Sequence, residues 1–321
     1  MWNAQSVGKY IEGTFLKTRV KNSTGHTSAE YFIFAGTIIS LFVITLFLFF
    51  IIWEALPVFK SEGFGFITGT VWNYTTNQYG ILIFIVSTIA ITVVTMLLAC
   101  PLSLLTAIFL AEFAPARVSN IIMPMVELLI GIPSIVYGLF GLSFLYYFVQ
   151  FDIKPFIGST LGFIPIFANG SPNTGQSLLL ASLILTVMVL PTITILSLEA
   201  MRSVPREYID ASNALGATKW ETIKKVIIPT AKPGIIAGIL LGLMRAMGET
   251  MAVVMLTGNT FQMPTSILDT GYAMTSKILM DITFYYGIPS GRSALMGIAL
   301  VLFVMEFLIL VLVKAMGARF K

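Results

Sequence analysis

The chain has 321 residues, of which 57% are hydrophobic and 11% are charged, with a formal net charge of +4. A soluble domain carries about 25% charged residues to solvate its surface, so this composition excludes an ordinary soluble protein and favours one embedded in lipid. One cysteine and one histidine exclude an internal disulfide and a Cys/His cluster for zinc, haem or iron–sulfur. The phosphate loop G-x-x-x-x-G-K-[ST] is also absent, so any ATP that the function consumes is expected to be hydrolysed on another chain.

Residues 1–30 form a polar, mildly basic N-terminal segment. Val7, Tyr10, Ile11, Thr14 and Phe15 fall at helical spacing with basic residues around them, which suits a short interfacial helix on an anionic leaflet. The alternative is a disordered tail, because so short a segment shows this spacing readily by chance.

Six apolar segments follow, and each can cross about 30 Å of hydrocarbon at about 1.5 Å per residue. They are residues 31–53, 81–110, 121–149, 177–198, 235–256 and 294–313. The first is too long and begins too late for a cleaved signal peptide, so we expect it to remain as an anchor. Residues 54–80 then form an external loop rich in glycine and aromatic side chains.

Lysine and arginine are distributed unevenly between the two sides of these segments. One side holds the cations of 1–30, 199–234 and 314–321 together with Arg117, whereas the other side holds only Lys60, Lys154, Lys277 and Arg292. The positive-inside rule therefore places both termini and the 199–234 loop in the cytoplasm.

The 199–234 loop contains an amphipathic block at 207–216 and a second helical stretch from Thr218. Gly216 can end the first helix in the left-handed conformation. Two short helices joined at a turn of small residues form a compact protrusion that can dock in a groove of another protein. The alternative is an ordinary connecting loop.

The fifth segment combines small residues with two charges. The small residues recur every four positions: Gly234, Gly238, Gly242, Ala246 and Thr250. This spacing predicts a groove for the close approach of another helix. Arg245 and Glu249 lie one turn apart on nearly the same face, where they can pair. Charges at membrane depth favour a substrate pathway, and the alternative is an ion pair that only locks helix packing.

Glu127 is a second carboxylate within an apolar segment, and Pro133 is expected to kink the same helix. Glu127 can belong to the pathway or be a charge near the cytoplasmic end of its helix. Glu306, in the sixth segment, is assigned no role.

Two parts of the loop match a known motif: Asp210-Ala211-Ser212-x-x-x-Gly216, and then Val226-Ile227-Ile228-Pro229. They resemble the EAA loop of binding-protein-dependent ABC importer permeases, with Asp210 in place of glutamate and Ser212 in place of the second alanine. In that family the loop is a coupling helix that inserts into the ATP-hydrolysing subunit. The resemblance implies this coupling role for Glu207, Asp210, Ala211, Ser212, Gly216 and Pro229.

Longer stretches of the sequence resemble one group of permeases within that family. Arg245-Ala246-Met247-Gly248-Glu249-Thr250-Met251-Ala252-Val253 and the run from Glu127 to Gly141 are similar to signatures of phosphate-specific permeases. Gly258-Asn259-Thr260-Phe261-Gln262 and Trp53-Glu54-Ala55-Leu56-Pro57 resemble the PstC-type subunit. This resemblance extends from about Tyr31 to the C-terminus.

The resemblance implies an all-α integral membrane protein with six transmembrane helices, the type I ABC importer permease fold and a coupling-helix loop between helices 4 and 5. Residues 81–313 would be the permease core and 314–321 the cytoplasmic C-terminus. The implied pathway residues are Arg245, Glu249, Thr250 and Glu127. The helix-packing residues predicted from spacing are Gly234, Gly238 and Gly242.

The implied function is one half of an ATP-driven phosphate import pathway in a bacterial or archaeal inner membrane. The implied partners are a PstA-type permease, two PstB-type ATPases that bind ATP and magnesium, and an extracytoplasmic PstS-type phosphate-binding protein. No catalytic residue, metal or cofactor is expected on this chain, and no nucleic acid is expected to bind it. The alternatives are a sulfate- or molybdate-type permease, a channel outside the ABC class, and an intramembrane enzyme.

Overall fold

The computed structural model describes residues 28–168 and 173–318. Within these ranges six helices are long and apolar enough to cross a membrane, in agreement with the six predicted segments. The amphipathic stretch expected between Val7 and Phe15 lies outside the described residues.

The first helix, α1, runs from Ser28 to Glu62. The chain divides into two units within it, one up to Phe50 and one from Ile51 onward. In the first unit, the side chains from Tyr31 to Phe50 are almost all exposed and mostly apolar, a surface suited to lipid. The predicted end of the helix at Trp53 is wrong. The helix continues to Glu62 because Ala55 and Val58 are buried within the second unit.

Short elements follow α1 in the predicted external loop. They are α2 (Gly65–Thr68), β1 (Trp72–Asn73) and β2 (Gln78–Tyr79). The two strands pair antiparallel, with Trp72 opposite Tyr79. The Asn73 side chain accepts hydrogen bonds from the backbone N–H groups of Thr75 and Thr76, which closes the hairpin loop.

The next helices are α3 (Leu82–Ile108), α4 (Ala116–Gly131), α5 (Ser134–Phe140), α6 (Tyr146–Phe148) and α7 (Lys154–Leu161). Two π-helical stretches join α5, α6 and α7 into one membrane helix that runs from Ser134 to Leu161. The predicted continuous helix over 121–149 is therefore interrupted. Pro133 has no N–H group and disfavours helical geometry at the residue before it, and Ile132 is extended, with φ −72° and ψ 128°. The expected kink is thus a complete break.

The second half contains α8 (Leu178–Arg202), α9 (Arg206–Ala214), α10 (Lys219–Thr222), α11 (Ile228–Gly248), α12 (Met251–Leu256), α13 (Met274–Tyr285) and α14 (Pro289–Ala318). The fifth apolar segment, predicted as one helix over 235–256, is also broken, at Glu249. The last helix extends beyond residue 313, so the predicted cytoplasmic C-terminus 314–321 is helical up to Ala318.

The most buried of the six membrane helices is α8, which packs against α3 and α11. Polar contacts with α3 include the hydrogen bond from the Ser182 hydroxyl to the Ile91 carbonyl, at 3.2 Å. On the other side α11 presents Gly234, Gly238 and Gly242 to α8. A Cβ added to Gly242 would lie 2.6 Å from Cγ1 of Ile193, so only glycine allows this approach.

Candidate functional site

The two interrupted helices meet through their second halves, α5 and α12. Two glycines of the third segment lie at this contact. A Cβ on Gly138 would be 2.6 Å from Sδ of Met255, and one on Gly141 would be 2.7 Å from Cδ2 of Leu256. A Cβ on Gly138 would also lie 3.4 Å from Cα of Ala252, so the two helices pack closely beyond the breaks.

At each break, side chains form hydrogen bonds with some of the backbone N–H and C=O groups that have lost their partners within the helix. The Tyr137 hydroxyl donates to the Leu129 carbonyl at 2.9 Å. At the second break, Oε1 of Glu249 accepts from the N–H groups of Thr250 at 3.2 Å and Ala252 at 3.4 Å. Backbone groups in hydrocarbon need such partners, so Glu249 stabilises the start of α12.

Arg245 lies in the last turn of α11, half-buried, one turn before the break. Its Nη1 donates to the Thr192 hydroxyl of α8 at 3.0 Å. Among the described residues no salt bridge joins Arg245 to a carboxylate. The guanidinium thus keeps hydrogen-bond donors for a ligand.

The predicted pairing of Arg245 with Glu249 is wrong. The prediction assumed a continuous helix, in which the two residues lie one turn apart on one face. Because the helix ends at Gly248 and Glu249 is extended, with φ −65° and ψ 130°, the carboxylate turns to the N-terminus of α12 instead.

Of the other predicted pathway residues, Thr250 lies at the second break, where its hydroxyl donates to the Gly248 carbonyl at 3.2 Å. Glu127 is exposed on α4, and no hydrogen bond or salt bridge between it and Arg245 is found in the described part of the chain. The structure brings Arg245, Glu249 and Thr250 together at one break and leaves Glu127 on the other interrupted helix.

Sequence reasoning missed three residues near the break. Thr192 of α8 contacts Arg245, and the Thr275 hydroxyl of α13 donates to the backbone carbonyl of Glu249 at 2.9 Å. Oε1 of Glu306 lies 3.7 Å from the place that a Cβ on Gly248 would occupy. The intramembrane charge of Glu306 was a visible signal, whereas nothing local distinguishes Thr192 or Thr275 from other threonines.

The 199–234 loop contains the two expected short helices, α9 and α10, joined by the turn at Gly216, and this segment is named the protrusion. Gly216 has φ +81°, the left-handed conformation predicted for it. The N–H of Gly216 donates to the Asn213 carbonyl and that of Ala217 to the Ser212 carbonyl, which is a Schellman motif. The Ser212 and Thr222 hydroxyls, hydrogen-bonded at 2.9 Å, join the two helices.

The tip of this protrusion exposes large apolar side chains. Leu215 is 89% exposed, Trp220 55% and Tyr208 53%. Lys219 donates to the Glu112 carbonyl, and its ammonium lies 4.9 Å from the Phe113 ring centroid. The protrusion therefore offers an apolar surface and contacts the end of the second membrane helix.

The remaining predicted coupling residues have different surroundings. Glu207, Asp210 and Ala211 are exposed on α9, and Ser212 is half-buried. Pro229 is exposed in the fifth membrane helix, just after the π-helical stretch Ile223–Ile227.

The chemistry of the break suits a small oxyanion. A guanidinium forms bidentate hydrogen bonds to oxyanions, and the Thr192 hydroxyl lies beside that of Arg245. Interrupted helices that meet within a membrane are a known arrangement of transporter substrate sites. No cluster of three or more possible metal ligands occurs among the described residues.

Known proteins resemble this chain over most of its length. The model of the family "Binding-protein-dependent transport system inner membrane component" matches residues 103–321. The "Probable ABC transporter permease protein YqgH" of Bacillus subtilis is 40% identical, over 80% of this chain and 78% of the relative. The "Phosphate transport system permease protein PstC" is 37% identical in Mesorhizobium japonicum, over 83% and 81%, and 33% identical in Haemophilus influenzae, over 96% and 95%.

Solved structures share the fold. A crystal structure of a bacterial alginate ABC transporter contains a chain with a TM-score of 0.57 and 16% identity, covering 91% of this chain and 95% of the other. An inward-facing MetNI methionine ABC transporter gives a TM-score of 0.54 and 18% identity, covering 78% and 100%. The expected six-helix ABC importer permease fold is thus confirmed. The chain belongs to the family of binding-protein-dependent transport system inner membrane components.

Proposed function

We propose that this chain is the permease subunit of an ATP-driven importer of inorganic phosphate. The observation that carries the proposal is the Arg245 guanidinium at the break of the fifth membrane helix, held by the neutral Thr192 hydroxyl and without a salt bridge among the described residues. The names of the PstC relatives support phosphate as the substrate.

In the proposed pathway, phosphate replaces water on Arg245 through bidentate hydrogen bonds. Glu249 holds the start of α12 and places a negative charge beside the site, so the anion is bound only weakly and can leave. Thr250 supplies a further hydroxyl, and Glu127 lines the approach along α4. Access then alternates between the two membrane sides as the interrupted helices move against one another.

ATP hydrolysis is proposed to occur on a separate chain. The exposed apolar tip formed by Tyr208, Leu215 and Trp220 supports docking of α9 in a groove of an ATPase subunit. Lys219 would transmit the movement to the end of the second membrane helix through Glu112 and Phe113. This chain would bind no cofactor itself, and ATP and magnesium would be held by the partner.

The proposed assembly contains a PstA-type permease, two PstB-type ATPases and a PstS-type phosphate-binding protein on the outer side. The likeness of the fold to permeases of ABC importers supports partners of these classes. The positive charge of the 199–234 loop supports an orientation in the inner membrane in which this loop and both termini face the cytoplasm.

Radiolabelled phosphate uptake tests this function in cells that lack the chain. The wild-type gene should restore uptake, and excess unlabelled sulfate or molybdate should not reduce it. Arg245→Lys keeps the charge but loses the planar fork, so the chain should assemble while uptake falls about tenfold, the effect of one charge-assisted hydrogen bond. Arg117→Lys, at an exposed position of α4, is the matched control and should transport normally. Uptake that sulfate or molybdate suppresses as strongly as phosphate would favour the other oxyanion permeases.

A further inference from the structure

Helix α13, in the loop 257–292, carries a buried lysine inside an aromatic cage. Lys277 is 6% exposed, and its Nζ lies 2.6 Å from Oδ2 of Asp281. The ring centroids around the ammonium lie at 4.9–5.7 Å and belong to Trp72, Tyr74, Phe84 and Tyr272. These six residues are named the Lys277 cluster. They join α13 to the hairpin and to the start of α3.

Tyr74 stabilises the cluster through a hydrogen bond and through ring stacking. The Tyr74 hydroxyl donates to Asp281, and the Tyr74 ring stacks on Tyr285 with centroids 3.4 Å apart. Burial lowers the pKa of Lys277, although Asp281 opposes this shift. Burial and the neighbouring Asp281 both raise the pKa of Tyr74, so its hydroxyl keeps the proton that it donates.

The beginning of the same helix reaches the break in the fifth membrane helix. Thr275 is 8% exposed, and its hydroxyl donates to the Glu249 carbonyl at 2.9 Å. Next to it, the Met274 N–H donates to the Thr88 hydroxyl at 3.0 Å, and the Tyr272 N–H donates to the Ser87 hydroxyl at 3.2 Å. Thr275 and Lys277 are two residues apart, so the cluster and the break are connected through one turn of helix.

We propose that Thr275 is a positioning residue of the transport site, which holds the interrupted backbone at Glu249 and is itself held by the Lys277 cluster. In the proposed orientation the loop that carries α13 lies on the outer side of the membrane. A movement of this loop is then transmitted to the break through Thr275. This inference rests on the proposed function. A binding protein that shifts α13 would then alter the site at Glu249 without touching it.

Removal of the Thr275 hydroxyl tests this positioning. Thr275→Val is nearly isosteric, so the complex should assemble while the maximal rate of phosphate uptake falls about fivefold, the effect of one lost hydrogen bond. The phosphate concentration for half-maximal uptake should not change, because the Arg245 contacts remain. Thr275→Ser should restore the rate to within about twofold of wild type. Thr92→Val is the matched control, since the buried Thr92 hydroxyl donates to the Thr88 carbonyl of its own helix.

A double-mutant cycle tests the connection with the cluster. Asp281→Asn keeps the shape of the side chain but weakens its ion pair, and it should lower the maximal uptake rate as Thr275→Val does. If the cluster acts through Thr275, the double variant should be no worse than the poorer single variant. Multiplied defects would overturn the connection, and wild-type uptake by Thr275→Val would overturn the positioning role.

A cysteine reporter separates this inference from the proposed function. In a Cys100→Ala background, Met251→Cys places a thiol at an exposed position at the start of α12. Thr275→Val should increase its alkylation rate about fivefold, whereas Thr275→Ser and Thr92→Val should not. If the wild-type chain restores no phosphate uptake, the proposed function fails while this measurement still decides the role of Thr275. An unchanged alkylation rate overturns the inference. Thr275→Ala replaces the valine variant if the latter does not accumulate in the membrane.

Discussion

At the residue scale, the two charges at the second break have separate partners. Arg245 is bound by Thr192, and Glu249 accepts from the backbone of α12. Removal of either charge therefore leaves the hydrogen-bond partner of the other in place. Breaking a buried ion pair costs about 3–5 kcal/mol, and neither single variant breaks such a pair here.

Glu249→Gln should consequently leave assembly intact. The amide oxygen can still accept from the N–H groups of Thr250 and Ala252, so the start of α12 keeps its cap. Without the negative charge, phosphate should bind more tightly and leave more slowly, so the maximal uptake rate should fall. Membrane quantity of the complex and initial uptake rate are the two measurements.

Glu249→Leu is the contrasting variant. It removes the acceptor and should cost about 1 kcal/mol, as the loss of a helix cap does, with less complex in the membrane. If Glu249→Gln already abolishes assembly, the carboxylate neutralises a buried cation and the pathway role is wrong.

At the scale of elements, the protrusion depends on one turn. Gly216 has φ +81°, and a Cβ added to it would meet nothing within 4 Å. Any effect of a substitution there therefore comes from the backbone conformation and not from a steric clash. The Ser212–Thr222 contact and the Thr218–Glu221 capping box hold the helices on either side of the turn.

Gly216→Val should weaken ATPase docking. A β-branched residue in the left-handed region costs roughly 1–2 kcal/mol, so the Schellman turn would open while membrane insertion proceeds normally. Copurification with the ATPase subunit and phosphate uptake should both decrease. Gly216→Asn is the matched control, because asparagine tolerates this conformation. Normal docking and transport by the valine variant would contradict the coupling role of the loop.

At the scale of the whole molecule, the uneven distribution of basic residues predicts the orientation. Ser61 and Thr76 are exposed near the hairpin, and Thr218 is exposed on the protrusion. These surfaces belong to opposite sides of the membrane in the proposed topology.

Thiol labelling in intact cells checks this topology. In a Cys100→Ala background, cysteine at Ser61 or Thr76 should react with an impermeant thiol reagent added outside. Cysteine at Thr218 should react only after the membrane is opened, which also controls for its reactivity. External labelling at Thr218 would reverse the orientation and remove the protrusion from the ATPase side.

Local signals in the sequence by itself determined the number and order of the membrane helices and the turn at Gly216. Hydrophobic length and the left-handed preference of glycine act over a few neighbouring residues. Pro133 also predicted a distortion of the helix in the third segment. Whether the helix bends or breaks there depends on the hydrogen-bond partners available to the backbone groups that lose their helical bonds. The Tyr137 hydroxyl supplies one such partner.

Only the tertiary structure decided the site itself. No proline marks the break at Glu249, and helical spacing predicted an ion pair with Arg245 that does not form. The helix ends before Glu249, whose backbone carbonyl accepts a hydrogen bond from Thr275, 26 residues away. Arg245 donates a hydrogen bond to Thr192, 53 residues away. Side chains so distant in sequence meet only through packing of α8, α11 and α13, and the energy of each contact depends on burial that no local pattern contains.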